Sequence, residues 1–216
     1  MKPPKHIFWD WNGTLQDDVQ AAVNGINLLL RQRQMPEVTV ERHRELFDLP
    51  VRGYYEALGF RLESENWDEM ANTFINAFAN DPSAHLFPET KPTLALLAKS
   101  GIDMFVVTSG EQDRVDALLH TRGIRSFFQE VRGLDNPGAG SKIAVAQALI
   151  QTRKLNPADG CMIGDTLHDK EVADAIGCPC LLLASGYQSR ARLENSGCTV
   201  LDSIADIPAF WNLSAE

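Results

Sequence analysis

The chain has 216 residues, of which 44% are hydrophobic and 23% charged; this is ordinary globular composition and excludes disordered and fibrous classes. Lys and Arg total 20 against 29 Asp and Glu, a formal net charge of -9, which argues against nucleic acid as a partner. No apolar run approaches the roughly 18 residues of a membrane span, and the N-terminus lacks a signal-peptide pattern. We therefore expect a cytoplasmic protein without a membrane partner.

Apolar runs of strand length recur along the chain, with helical patterns between them. This alternation is typical of a mostly parallel sheet that is covered by helices on both faces. The sequence therefore predicts an α/β fold with a doubly wound, Rossmann-like sheet. The predicted strands are residues 7–9, 102–107, 161–163, 180–184 and 199–201.

Roughly 90 residues without a convincing strand separate the first two of these runs. We interpret residues 16–87 as a helical cap domain, inserted over the carboxyl edge of the sheet. Residues 1–15 and 88–216 then form the core domain. The helical patterns of the predicted cap cover residues 18–34, 40–47, 51–58 and 66–80.

Asp10 directly follows the first predicted strand and opens the hexapeptide DWNGTL. Parallel sheets bind ligands at this edge. Gly13 permits a tight turn, and the adjacent backbone N–H groups of Gly13 and Thr14 suit a phosphate. An Asp in this position is also a common helix cap, so the hexapeptide alone leaves both interpretations open.

The second predicted strand ends in Thr108, Ser109 and Gly110, before a helix predicted to start near Glu111. Hydroxyls and N–H groups at the N-terminus of a helix bind oxyanions well. These three residues are therefore candidate phosphate ligands. The alternative is a plain helix cap.

Lys142 opens a predicted helix over residues 143–151, after Gly138 and Gly140. The helix dipole disfavours a cation at this end, so a lysine here indicates an anionic partner. A solvated surface lysine is the alternative, because Ser141 is also a good cap.

Asp165 and Asp169 follow the third predicted strand and lie four residues apart. If both face Asp10 across the sheet edge, three like charges share one site and repel each other. Mg²⁺ would neutralise them, because it binds carboxylates and phosphate oxygens. The alternative for Asp165 is a helix cap.

Taken in this order, the four motifs resemble those of haloacid dehalogenase (HAD) superfamily hydrolases, in particular the phosphoglycolate phosphatase-like branch with a helical cap after the first motif. The resemblance spans nearly the whole chain. It implies that Asp10 is a nucleophile that forms an aspartyl-phosphate. It also implies that Thr108 and Lys142 hold the phosphoryl oxygens during catalysis.

The resemblance further implies a Mg²⁺ site. Asp10, Asp165 and the backbone carbonyl of Asn12 would bind the ion, with Asp169 beside it. Such an ion positions a weak carboxylate nucleophile and reduces its repulsion from an anionic phosphate.

Asn12 departs from the resemblance, because most of these hydrolases have there a second Asp that serves as general acid and base. An amide cannot transfer a proton, and its presence slows hydrolysis most for poor leaving groups. Three functions remain open: a phosphatase whose proton comes from the cap, from His168 or from the substrate; a weakened phosphate-binding or regulatory protein; and a phosphotransferase with a long-lived aspartyl-phosphate.

The expected partner is a small phosphorylated metabolite, and its specificity should depend on the cap. Arg52 could bind a carboxylate or a second phosphate with its forked donors, although a surface role is open. Trp11 could stack on the substrate, or it could pack beneath the cap.

Overall fold

The computed structural model describes residues 2–135 and 141–213. Six strands in these ranges form one sheet in which every pairing is parallel. Its order is β5-β4-β1-β6-β7-β8, and β2 and β3 form a separate antiparallel pair. The strands are β1 (His6–Trp9), β2 (Gln16–Asp17), β3 (His85–Leu86), β4 (Asp103–Glu111), β5 (Glu130–Leu134), β6 (Gly160–Gly164), β7 (Cys180–Leu183) and β8 (Thr199–Leu201).

Helices connect the strands and cover the sheet. In the part of the chain that is described, none is long and apolar enough to cross a membrane. The helices are α1 (Val19–Gln32), α2 (Val40–Leu46), α3 (Val51–Ala57), α4 (Trp67–Ala79), α5 (Thr90–Lys99), α6 (Gln112–Thr121), α7 (Lys142–Arg153), α8 (Leu167–Ile176), α9 (Arg190–Glu194) and α10 (Ile207–Phe210).

The centre of the sheet is apolar on both faces. Every residue of β1 is buried, and successive side chains of a strand point to opposite faces. Ile7 and Trp9 accordingly pack in one hydrophobic cluster, whereas Phe8 packs in another. The predicted doubly wound α/β fold is thus confirmed.

Two strand predictions need correction. β5 was not predicted, because Glu130 and Arg132 interrupt its apolar character with side chains that pair with each other. β4 continues to Glu111, beyond the predicted end at Val107, with an irregular register against β5 over this extension. The following helix therefore begins at Gln112.

Helices α1 to α4 lie within about two residues of the helical patterns of residues 16–87. We refer to residues 16–87 as the cap. Its helices share a hydrophobic cluster separate from those that flank the sheet, with Ile26, Tyr55 and Met70 among its buried members. The cap also contributes β2 and β3, which were not predicted because each strand has only two residues.

Candidate active site

Asp10 lies at the carboxyl edge of the sheet, where β1 ends. Its backbone N–H donates to the carbonyl of Ile163 in the neighbouring strand at 2.9 Å. The chain then turns sharply, and the carbonyl of Trp11 accepts from the N–H of Leu15 at 3.0 Å. Gly13 has a φ of 72°, a conformation that glycine adopts without strain. Because no helix starts at this turn, the alternative role of Asp10 as a helix cap is wrong.

Lys142 connects two carboxylates of the site. Its Nζ atom forms buried ion pairs with Asp10 and, at 2.5 Å, with Oδ1 of Asp169. Only 4% of Lys142 is exposed, so the surface-lysine alternative is wrong. Burial alone would lower the pKa of Lys142, but the two carboxylates outweigh burial and raise it.

Asp165 and Asp169 have different surroundings. Asp165 accepts from the hydroxyl of Thr14 and from the N–H of Tyr187, each at 2.7 Å. Asp169 accepts from the hydroxyl and the N–H of Thr166, at 2.7 and 3.0 Å, and forms a capping box with it. Thr166 is therefore the cap of α8, and the alternative role of Asp165 as a helix cap is wrong.

The electrostatics of the site favour a bound cation. Asp10, Asp165 and Asp169 offer oxygens that all lie within 4.8 Å of one another. Burial raises the pKa of Asp10 to about 7, against the opposing charge of Lys142. Burial, reinforced by the two other carboxylates, raises the pKa of Asp165 well above its usual range. For Asp169, the charge and hydrogen bond of Lys142 outweigh burial and lower the pKa.

The residues present fit Mg²⁺, which prefers hard oxygen ligands and one or two carboxylates. The backbone at Gly13 and Gly186 packs closely against Asp165, because a Cβ atom on these residues would lie 2.3 and 2.1 Å from its Oδ2. Both oxygens of Asp169 already have protein partners. Both oxygens of Asp165 likewise have protein partners, so hydrogen bonding does not rank these carboxylates. The roles of Asp10, Asp165 and Asp169 as metal ligands stay predictions.

The segment after Val107 is strand rather than helix start. Thr108 is buried, and its Oγ1 accepts from the N–H of Gly110 at 3.1 Å. Ser109 is exposed within β4. Helix α6 begins at Gln112 with Glu111 as its N-cap, within one residue of the predicted start. Phosphate binding by Thr108, Ser109 and Gly110 stays a prediction.

Gly13 and Thr14 were predicted to bind phosphate, but their donors already have protein partners. The N–H of Gly13 donates to the carbonyl of Gln16 at 2.9 Å and to Oδ1 of Asp18 at 3.0 Å. The hydroxyl of Thr14 donates to Asp165. Both residues thus shape the loop and hold carboxylates in this structure. Gly138 and Gly140 lie outside the described residues.

Sequence reasoning missed Asp18 and Tyr187. Asp18 is fully buried and accepts from the Asn12 side chain at 2.5 Å and from Gln16 at 2.9 Å. Burial raises the pKa of Asp18 to about 6, and these hydrogen bonds oppose the shift. Tyr187 follows β7, so the rule that located the other candidates would also have indicated it.

The cap contacts the site through α2. Arg44 donates from Nε to the carbonyl of Gly186 at 2.8 Å and from Nη2 to that of Ser185 at 2.7 Å. His43, on the same helix, packs edge-on against the ring of Tyr187. The loop after β7 thus touches both the cap and Asp165.

The two predicted specificity residues have other environments. Trp11 is 1% exposed and belongs to the hydrophobic cluster of the sheet, so stacking on a substrate is wrong. Arg52 places its guanidinium 4.8 Å from the centre of the Trp67 ring, within the cap. Among the described residues, Arg44 is the cap arginine that reaches the loop after β7.

Residues 7–183 match the family model of haloacid dehalogenase-like hydrolases. The arrangement of the site fits this match. An Asp follows β1, a buried lysine begins α7, and two carboxylates follow β6 on a parallel sheet. The chain belongs to the haloacid dehalogenase-like hydrolase family.

The individual relatives include a protein named as a kinase and a protein named as a phosphatase. The chain is 28% identical over 212 residues to tyrosine-protein kinase PtkA of Mycobacterium tuberculosis, covering 94% of this chain and 70% of that protein. It is 24% identical over 222 residues to phosphoglycolate phosphatase 1 of Pseudomonas aeruginosa, covering 99% and 82%.

Solved structures show the same fold. The haloacid dehalogenase-like hydrolase SP0104 from Streptococcus pneumoniae superposes with a TM-score of 0.80 at 21% identity. The match covers 96% of this chain and 98% of that one. The similarity therefore includes both the sheet and the cap.

Proposed function

We propose that this protein is a Mg²⁺-dependent phosphatase that hydrolyses a small phosphate monoester, of the phosphoglycolate type, through an aspartyl-phosphate on Asp10. The observation that carries the proposal is the buried contact of Lys142 with Asp10 and Asp169, next to Asp165. The family match and the phosphoglycolate phosphatase relatives support it.

The first chemical step would be attack of an Asp10 oxygen on phosphorus, with departure of the leaving-group oxygen in line. Lys142 keeps its proton, because the carboxylates around it raise its pKa, and it can stabilise the charge of the transferring phosphoryl group. Mg²⁺, held by Asp10, Asp165 and the carbonyl of Asn12, would supply further positive charge. Water would then hydrolyse the acyl phosphate and return Asp10 to its ionised form.

Asn12 limits which substrates react well. A general acid typically contributes about 10²–10⁴ in rate, or up to roughly 5 kcal/mol of barrier. That loss falls mainly on alkyl phosphates, because their alkoxide leaving group needs a proton. Acyl and aryl phosphates release a carboxylate or a phenolate, which are stable anions. We therefore propose that the natural substrate either has such a leaving group or carries its own acid.

A phosphotransferase is the second candidate. Slower activation of water lengthens the life of an aspartyl-phosphate, and Asn12 removes the usual activating base. The similarity to a protein named tyrosine-protein kinase supports transfer to an acceptor hydroxyl. Mass spectrometry of the protein under turnover distinguishes the candidates, because only a slowly hydrolysed intermediate accumulates as a covalent phosphoprotein.

The central experiment is hydrolysis of an aryl phosphate by the parent and by Asp10→Ala, each with Mg²⁺ and with excess chelator. We expect turnover only in the parent with Mg²⁺. Asp103→Ala, at an exposed position in β4, is the control that should retain parent activity. Equal rates for parent and Asp10→Ala would refute the enzymatic function at this site.

A further inference from the structure

Asp18 is a carboxylate of the candidate site that takes no part in the proposed phosphoryl transfer. It is fully buried and lies between β2 and α1. An Asp before a helix commonly accepts from the first backbone N–H groups of that helix, but the Asp18 side chain makes no such bond. Its oxygens bind the loop that follows Asp10 instead.

Every polar group bonded to Asp18 is a donor. Asn12 Nδ2 donates to Oδ2 at 2.5 Å, and Gln16 Nε2 donates to the same oxygen at 2.9 Å. The N–H of Gly13 donates to Oδ1 at 3.0 Å. An ionised carboxylate only accepts, so it satisfies all of these donors at once.

We propose that Asp18 is a positioning residue of the active site that requires an amide at position 12. In this chain a carboxylate at position 18 accepts hydrogen bonds from Asn12 and Gly13 in the loop after Asp10. The effect of Asp18 on catalysis rests on the proposed function, because the loop that it binds begins with Asp10, the proposed nucleophile.

An ionised carboxylate at position 12 would meet the ionised carboxylate of Asp18 at the distance of the present hydrogen bond, with no hydrogen between them. Two buried like charges at this separation cannot both stay ionised. Asn12→Asp alone should therefore either displace the loop or hold a proton between the two carboxylates, at a cost in stability near pH 7, and should not create an efficient general acid.

Exchanging the two side chains keeps the hydrogen bonds. In Asn12→Asp/Asp18→Asn, the amide at position 18 donates to position 12, while its carbonyl oxygen accepts from the N–H of Gly13. Gln16 can turn its own amide to accept as well, because its Oε1 is buried and without a partner among the described residues. The double variant thus has one carboxylate and one amide in reversed places.

The test compares the parent with Asn12→Asp, Asp18→Asn and the double variant. A matched control is Asn12→Asp/Asp17→Asn, which has the same net charge as the double variant. Asp17 pairs with His85 in the small sheet and is only half-buried. Thermal melts are recorded in chelator, so that the melting temperature reports the contact between residues 12 and 18 without bound metal or turnover. Hydrolysis of an alkyl phosphate and an aryl phosphate is then measured with Mg²⁺.

We expect Asn12→Asp to lower the melting temperature by about 5 °C and the exchange of both residues to restore most of that loss. The control with Asp17 should melt as low as Asn12→Asp. On the alkyl phosphate, the double variant should exceed the parent in kcat by at least about tenfold with little change in KM, and should also exceed Asn12→Asp.

The inference is overturned if Asn12→Asp alone melts and turns over like the double variant. It is equally overturned if the double variant melts as low as Asn12→Asp, fails to fold, or matches the Asp17 control. If neither the parent nor any variant hydrolyses phosphate, the proposed function fails, but the pattern of melting temperatures still decides whether Asp18 requires the amide of Asn12.

Discussion

The Nζ atom of Lys142 lies 2.5 Å from Oδ1 of Asp169, and both side chains are buried. Removal of Lys142 would leave the carboxylates around it without this cation. Breaking a buried ion pair typically costs about 3–5 kcal/mol. We expect Lys142→Met to lower the free energy of unfolding by about 3 kcal/mol without metal and to lower kcat by roughly 10²-fold or more.

Urea unfolding with and without Mg²⁺ tests this expectation. Because Mg²⁺ can replace part of the lost positive charge, it should stabilise Lys142→Met more than it stabilises the parent. Lys154→Met, at an exposed position after α7, is the control. A stability of Lys142→Met equal to that of the parent would contradict the role of the ion pairs.

Gly186 is needed for steric reasons at the site. A Cβ atom there would lie 2.1 Å from Oδ2 of Asp165, so Gly186→Ala should displace this carboxylate. We expect activity to fall by at least about 10²-fold and the stabilisation by Mg²⁺ to disappear. Gly53 provides the contrast, since a Cβ atom there meets nothing within 4 Å. Gly53→Ala in α3 should retain activity and raise stability by about 0.5–1 kcal/mol; steady-state kinetics and melts distinguish the two.

Arg44 should control how the cap sits on the core. Its guanidinium binds the carbonyls of Ser185 and Gly186, so Arg44→Ala should loosen α2 from the loop that holds Asp165. We expect kcat/KM to fall about tenfold. Arg42→Ala on the same helix should act like the parent, because Arg42 pairs only with Glu45 on an exposed surface in this structure. Equal kinetics for both variants would refute a docking role of Arg44.

His43 should make stability depend on pH. Burial lowers its pKa from 6.5 to about 4, so between these values the unfolded chain takes up a proton that the folded chain excludes. The contribution of His43 to stability is then full above pH 6.5 and falls as the pH decreases toward 4, by about 2 kcal/mol at pH 5.

Replacement of His43 should remove this contribution. His43→Gln can keep a hydrogen bond to the Tyr54 hydroxyl, which lies 2.7 Å from His43 Nδ1. Urea unfolding of His43→Gln should therefore show a smaller loss between pH 7.5 and 5 than that of the parent. The exposed His120 is the control, and His120→Gln should keep the parent's loss. An unchanged pH dependence in His43→Gln would contradict the prediction.

Sequence patterns identified the strands that read as apolar runs and missed those that did not. β1 and β6 are wholly buried, and their apolar runs matched the structure within one residue at either end. β5 alternates charged and apolar residues and was invisible as an apolar run. β2 and β3 are set by their pairing with each other, a contact between segments that are distant in sequence.

The candidate site shows the same limit. Asp10, Lys142 and Asp165 could be found because each begins or follows an element at one edge of the sheet. The bond between Asn12 and Asp18 could not, because it depends on a turn that brings the chain back after six residues. The sequence indicated a missing carboxylate at position 12, whereas the structure shows one bonded to it.

The pairing of Asp17 with His85 brings the two crossings between core and cap side by side. A short turn between these positions could therefore close the core, and one continuous segment could be exchanged for another cap. Asp18 lies just beyond this junction on the cap side, while Asn12 lies on the core side. A graft that replaced the cap would thus also replace the partner of Asn12, and the chemistry of the loop after Asp10 would change along with substrate recognition.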